Sequence, residues 1–131
     1  MGIYLNSESA YTLYKSETQK PYFVDKSQMI EELFPLIEEG ANHICITRPR
    51  RFGKTVMANM ISAFFSRARE ASDIFDRLKI SASRNYSKYR NQYNVIHISL
   101  NDISTQCTTY REYITRIEHR LVRVFCFTSP L

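Results

Sequence analysis

The sequence predicts an α/β domain built on a parallel sheet, and three observations carry that prediction. Two short runs, 43–47 and 95–100, are rich in β-branched and apolar residues and read as buried strands. A segment with the three-and-four apolar spacing of a helix face follows each of them. More than forty residues separate the two runs, enough for the crossover that adjacent parallel strands require.

Taken in order, residues 1–20 are polar and aperiodic and read as an irregular lead-in to a domain spanning 21–131. Tyr22-Phe23-Val24 suits a short strand. From Ser27, the residues Met29, Ile30, Leu33, Phe34 and Ile37 trace a helix face, with Asp25 or Ser27 placed to cap its start and Gly40 to end it. Pro35 lies inside that pattern and is expected to kink or restart the helix. His43-Ile44-Cys45-Ile46-Thr47 is the first main strand, with Cys45 a small buried residue in its middle. Val56, Met57, Met60, Ile61, Phe64 and Phe65 then form one apolar stripe, predicting a helix from 54 to about 69. Asp73 can cap a shorter helix carrying Ile74, Phe75 and Leu78. Residues 81–93 hold turn formers and three tyrosines and read as a loop. Val95, Ile96, Ile98 and Leu100 mark the second strand. Tyr110, Tyr113, Ile114, Ile117, Leu121, Val122 and Phe125 line one face of a long final helix.

With 44% hydrophobic and 24% charged residues, the chain has the composition of a globular domain. Its apolar runs are a few residues long, far short of the roughly 18 that span a bilayer. The opening Met1-Gly2-Ile3-Tyr4-Leu5 turns polar at once, so no signal segment is read there. Cys45, Cys107 and Cys126 are odd in number and form no CxxC pair, which indicates reduced thiols and a cytoplasmic setting rather than a disulfide framework or a zinc site. The net charge of +5 is uneven. Residues 1–40 hold three Lys against seven acids, whereas 41–131 hold fifteen Lys and Arg against six acids. The basic part is suited to a nucleotide, a nucleic acid or an acidic partner.

The residues that carry chemistry are Arg48-Pro49-Arg50-Arg51-Phe52-Gly53-Lys54-Thr55. A strand, a tight turn and Gly-Lys-Thr opening an amphipathic helix are the setting of a phosphate-binding P-loop. Gly53 lets the backbone approach a phosphate and adopt positive φ. Backbone N–H groups and the helix dipole favour an anion there. Lys54 can reach the β and γ phosphates, and the Thr55 hydroxyl can ligate Mg²⁺. Four cations within seven residues also crowd a helix N-terminus that repels each of them by about 0.3–1 kcal/mol. No acid between Asn42 and Arg69 offsets them, and a bound polyanion would. The usual pattern begins with Gly, where this chain has Arg48, and Pro49 removes one N–H donor.

Tyr22-Phe23-Val24-Asp25-Lys26-Ser27, Ile46 through Thr55, Phe64-Phe65, Leu78-Lys79-Ile80 and Val95 through Leu100 together resemble the AAA-ATPase-like family of prokaryotes. The resemblance spans roughly residues 20–102, and Arg-Pro-Arg-Arg-Phe-Gly-Lys-[Ser/Thr] is its specific signature. That family itself places Arg where the first P-loop glycine stands elsewhere. The resemblance implies a P-loop NTPase-like three-layer sandwich, ATP bound with Mg²⁺, phosphate contacts from Gly53 and Lys54, and Thr55 as metal ligand. It further implies a Walker B strand and, often, a fused PD-(D/E)XK nuclease-like domain. Neither is found in this sequence, so the chain reads as an N-terminal portion that hydrolyses little ATP by itself. Asp102 is the nearest acid to a Walker B position, but its strand looks like the one before Walker B.

The alternative is a non-enzymatic basic module that binds nucleic acid through 48–54 and 84–93, with Arg84, Lys88 and Arg90 interleaved among Tyr86, Tyr89 and Tyr93. A polar connector with partly packed tyrosines is the favoured account of that loop. His43, His97 and His119 lack ligand-spaced neighbours, and Asp73 with Asp76 suits a cap and a dipole-stabilising acid. Asp25-Lys26 could cap a helix or meet the nucleotide base, and the cap is favoured.

Overall fold

The structure, a computed structural model, describes residues 5–41, 43–67, 73–100 and 107–128. Helix α1 spans Glu8–Thr18, α2 Gln28–Glu38, α3 Lys54–Phe65, α4 Asp73–Asp76, α5 Tyr86–Tyr89 and α6 Tyr110–Thr128; a 3-10 turn occupies Lys79–Ala82.

The lead-in is therefore not irregular. Ser7 accepts the Ser9 N–H at the start of α1, and Ala10, Tyr11 and Tyr14 form its buried face against α3. Spacings of one and three residues put those side chains on one stripe. The polar Ser, Thr and Glu between them hid it.

Helix α2 runs through Pro35 without restarting. Its end depends on Gly40, whose φ of +73° lets Gly40 N–H reach Ile37 O and Ala41 N–H reach Leu36 O. This is the paired C-terminal bonding that a left-handed glycine permits.

The parallel sheet is not present: among the described residues there is no strand, only isolated bridges pairing Leu5 with Ile96 and Ser66 with Tyr93. Residues 22–24 form no strand either. Run 43–47 belongs to no strand and makes no bridge, and Ile44 (45% exposed), Ile46 (40%) and Cys45 stand in solvent rather than in a sheet interior. β-rich composition reports a fit to a half-buried pleated surface; it does not supply the neighbouring strand. The segment just before the second run is used differently. Asn91 N–H and Tyr93 N–H donate to the Phe64 and Phe65 carbonyls, and Arg67 N–H donates back to Tyr93 O. These bonds satisfy carbonyls that a helix end leaves open, and Ser66 turns extended there. Helix α3 thus stops at Phe65, short of the expected 69.

The core is aromatic. Phe64 contacts the Phe75 ring edge-on at 5.3 Å, Phe34 stacks on Tyr89 at 4.3 Å and Tyr14 stacks on Phe75 at 5.6 Å. Residues 81–93 are accordingly a packed connector containing α5, with Tyr89 buried. Helix α6 forms where its periodicity predicts, yet none of its described residues is buried.

Candidate functional site

The loop before α3 makes two left-handed turns in quick succession, at Arg51 (φ +65°) and Gly53 (φ +79°). For Gly53 this costs little, because it has no Cβ. For Arg51 it is an uncommon conformation, of the kind that concentrates at functional sites. Phe52 N–H leans back toward Pro49 O at 3.4 Å, and Gly53 O starts the helix by accepting from Met57 N–H at 2.9 Å.

The N-terminus of α3 has no side-chain cap. Among the described residues, no acceptor meets the backbone N–H groups of Gly53, Lys54, Thr55 or Val56. A helix leaves such donors open unless a cap, water or a ligand takes them, and the helix dipole adds positive potential at the same place. Arg48, Pro49, Arg50, Arg51, Phe52, Lys54 and Thr55 are all exposed, and Gly53 is half-buried. Among the described residues, Arg48, Arg50, Arg51 and Lys54 form no salt bridge. The residues singled out in the sequence are thus contiguous, open to solvent and rich in unused donors.

Two further contributors come from outside the loop. The first is Lys26, which the sequence offered with Asp25 as a helix cap or a contact to the nucleotide base. Its ammonium reaches the loop from the segment before α2: a Cβ built on Gly53 would lie 3.9 Å from Lys26 Nζ. Asp25 explains how that segment is held. Its carboxylate accepts Ser27 N–H at 2.8 Å and Lys79 N–H at 2.7 Å, and Ser27 Oγ accepts Ile80 N–H at 3.1 Å. Burial alone would push the Asp25 carboxyl up, but the hydrogen bonds from Ser27 and Lys79 together hold it below the usual carboxylate value. Helix α2 has Ser27 at its N-cap position and no side-chain cap, so Asp25 serves as a clasp and Lys26 beside it carries the charge.

The second is a cavity of about 330 Å³ that begins at Gly53 and is walled by Tyr14, Phe23, Val56, Met57 and Met60. Tyr14 is 1% exposed, and its hydroxyl has no hydrogen-bond partner among the described residues. The helical spacing of Ala10, Tyr11 and Tyr14 was the sequence signal for this wall. Its meeting with Gly53 is tertiary and left no local trace.

The family model described as Predicted AAA-ATPase matches residues 12–130. The chain belongs to that family. The match takes in most of α1, the loop and all of α6, well beyond the stretch that carried the resemblance in the sequence. Membership in this AAA-ATPase-like family agrees with nucleotide binding in general terms. Neither a curated protein nor a solved structure matches the chain.

The other candidates fare differently in this AAA-ATPase-like chain. Lys88 is paired with Glu38, and Arg90 with Asp76 at 2.7 Å. Asp76 also accepts the Tyr86 hydroxyl, so it serves as a clasp rather than a dipole partner. His97 Nδ1 lies 2.8 Å from Ser62 Oγ on α3, a structural contact. Asp102, the nearest acid to a Walker B position, lies outside the described residues. Among the described residues, no group of three or more His, Cys, Asp or Glu is placed to hold a metal ion and no helix is long and apolar enough to cross a membrane; the cysteines are free.

Proposed function

We propose that residues 48–55 bind a nucleoside triphosphate, ATP with Mg²⁺, through a variant Walker A loop that operates without the expected sheet behind it. The observation that carries this reading is the set of four open backbone donors, Gly53 to Val56, beside four exposed cations with no salt bridge among the described residues. A hydrogen bond to a charged group contributes about 1.5–3 kcal/mol, so a polyphosphate seated there recovers a large share of its own desolvation. Lys54 takes the β and γ oxygens, and Lys26 adds a second ammonium next to Gly53. Thr55, exposed in the first turn, fits a metal ion that arrives with the nucleotide and takes its remaining oxygens from phosphate and water. Such an ion supplies charge neutralisation of the phosphates.

The nucleic-acid alternative needs, in addition to 48–54, residues 84–93. There Lys88 and Arg90 are engaged in ion pairs and Tyr89 is stacked in the core, so little of the proposed stacking surface remains. Isothermal titration separates the two. Mg-ATP is expected to bind saturably, and Lys54→Ala to weaken it by roughly tenfold or more, about 1.4 kcal/mol, with an unchanged melting curve. Binding of a single-stranded oligonucleotide that outcompetes ATP, falls steeply with salt and ignores Lys54→Ala would favour the alternative.

A further inference from the structure

A further cavity, of about 450 Å³, lies between α1 and α4 and shares Phe23 with the one beside Gly53. That volume falls within the roughly 300–1,000 Å³ typical of small-molecule pockets. Its lining grades from apolar to charged: Tyr11 and Leu78 are buried, Phe23 and Ile74 half-buried, and Lys15 and Arg77 exposed at the mouth. Neither cation forms a salt bridge among the described residues. No carboxylate lines the cavity among the described residues. Glu17 and Asp76, the acids nearest to these cations in sequence, are already engaged by Lys20 and by Arg90. The carbonyls at the end of α1 are taken too: Thr18 Oγ1 donates to Lys15 O, Gln19 N–H to Ser16 O and Lys20 N–H to Glu17 O.

We infer that this cavity binds a small organic carboxylate carried on an apolar body, at a site separate from residues 48–55 and independent of the phosphate reading. The apolar body lies against Tyr11, Phe23, Ile74 and Leu78 and leaves water, a gain that scales with the apolar area removed. The carboxylate stays at the mouth. There the planar fork of Arg77 offers two parallel N–H bonds, and Lys15 adds a point charge. Either half of such a ligand is poorly matched by itself: a bare anion leaves the apolar floor wet, and a neutral apolar molecule leaves both cations without a counter-ion. A fatty acid and an aromatic acid share this chemistry and differ only in the body.

The test follows amide spectra of the ¹⁵N-labelled chain titrated with octanoate, phenylpropionate, their neutral counterparts octanol and phenylpropanol, and acetate. At least one of the two larger carboxylates is expected to shift the amides of Gln19, Ile74 and Arg77 together and saturably, and the tighter of the two tells whether the body is alkyl or aromatic. The matching alcohol and acetate are each expected to bind about fivefold more weakly or worse, and Arg77→Gln to weaken the carboxylate about fivefold, the upper end for an exposed ion pair. Thr18→Trp, which fills the cavity from a half-buried position at the end of α1, is expected to abolish binding. No saturable shift with either larger carboxylate overturns the inference. So does an alcohol or acetate that binds as tightly as the carboxylate it is compared with. Unchanged affinity in Arg77→Gln, a substitution at a solvent-exposed position, overturns it as well and decides the matter if Thr18→Trp does not fold.

Discussion

Over its second half, α3 buries Met60, Ala63, Phe64 and Phe65 among rings from α2, α4 and α5, while at its start Lys54 and Thr55 stand in solvent. The C-terminal carbonyls are taken by Asn91 and Tyr93, yet the N-terminal amides have no acceptor among the described residues. One helix therefore has a finished end and an unfinished one. Packing fixes the first, and the second is held open on a platform rigid enough to keep four donors together. That division is how a binding site is best supported, with its contacts on a regular element whose far side is locked in the core.

The largest effect belongs to the finished end. Phe64 is fully buried and meets Phe34, Phe65, Phe75 and Tyr86. Phe64→Ala is expected to cost about 3–5 kcal/mol, read as a lower urea midpoint. A loss below about 1 kcal/mol would mean that the two ends are not so different after all.

Next comes the clasp that joins them. Asp25→Ala leaves the N–H groups of Ser27 and Lys79 without their acceptor and should cost about 1–3 kcal/mol at neutral pH. The folded Asp25 carboxyl titrates below its ordinary value of 3.8, so its contribution is complete above that value and is lost as the pH falls through the lower, folded one. Urea melts from pH 6 down to pH 2 should show a steeper acid loss in wild type than in Asp25→Ala. Parallel curves would remove Asp25 from the account.

At the unfinished end, Arg51→Gly relieves a left-handed arginine whose conformation costs about 1–2 kcal/mol, partly offset by the extra freedom of glycine in the unfolded chain. A gain of up to about 1 kcal/mol in stability is expected, together with weaker ATP binding from the lost charge. Tyr14→Phe is the smallest: removing a buried hydroxyl with no partner should leave the ligand-free protein equally stable or raise its stability by about 1 kcal/mol. A loss beyond that in thermal melts would mean that the hydroxyl has a partner in the ligand-free protein.

The same contrast explains what the sequence could reveal. Helices α2, α3 and α6 announce themselves because one apolar stripe at helical spacing is local information. Helix α1 does not, since Tyr11 and Tyr14 gain their apolar surroundings from distant segments, α3, Phe75 of α4 and Phe23. The sheet was misread for a related reason: Ile44, Ile46, Ile96 and Ile98 have the side chains of strands, but pairing depends on a neighbour that local sequence does not encode. In the candidate site, Gly53, Lys54 and Thr55 were picked out because a helix start and its charges are contiguous, and Asp25-Lys26 was picked out as a pair. The approach of Lys26 to Gly53 and the Tyr14 wall were not legible, because they arrive through the Asp25 clasp to Lys79 and the packing of α1 on α3.

Amide spectra of the ¹⁵N-labelled chain titrated with Mg-ATP test the central claim most directly. The amides of Gly53, Lys54, Thr55 and Val56 are expected to shift together and saturate, those of Phe64 and Phe65 to stay in place, and Lys54→Ala to move the midpoint to higher nucleotide concentration. If those four amides stay unmoved at millimolar nucleotide, or if the shifts gather instead at residues 84–93, the open end of α3 is not a triphosphate site.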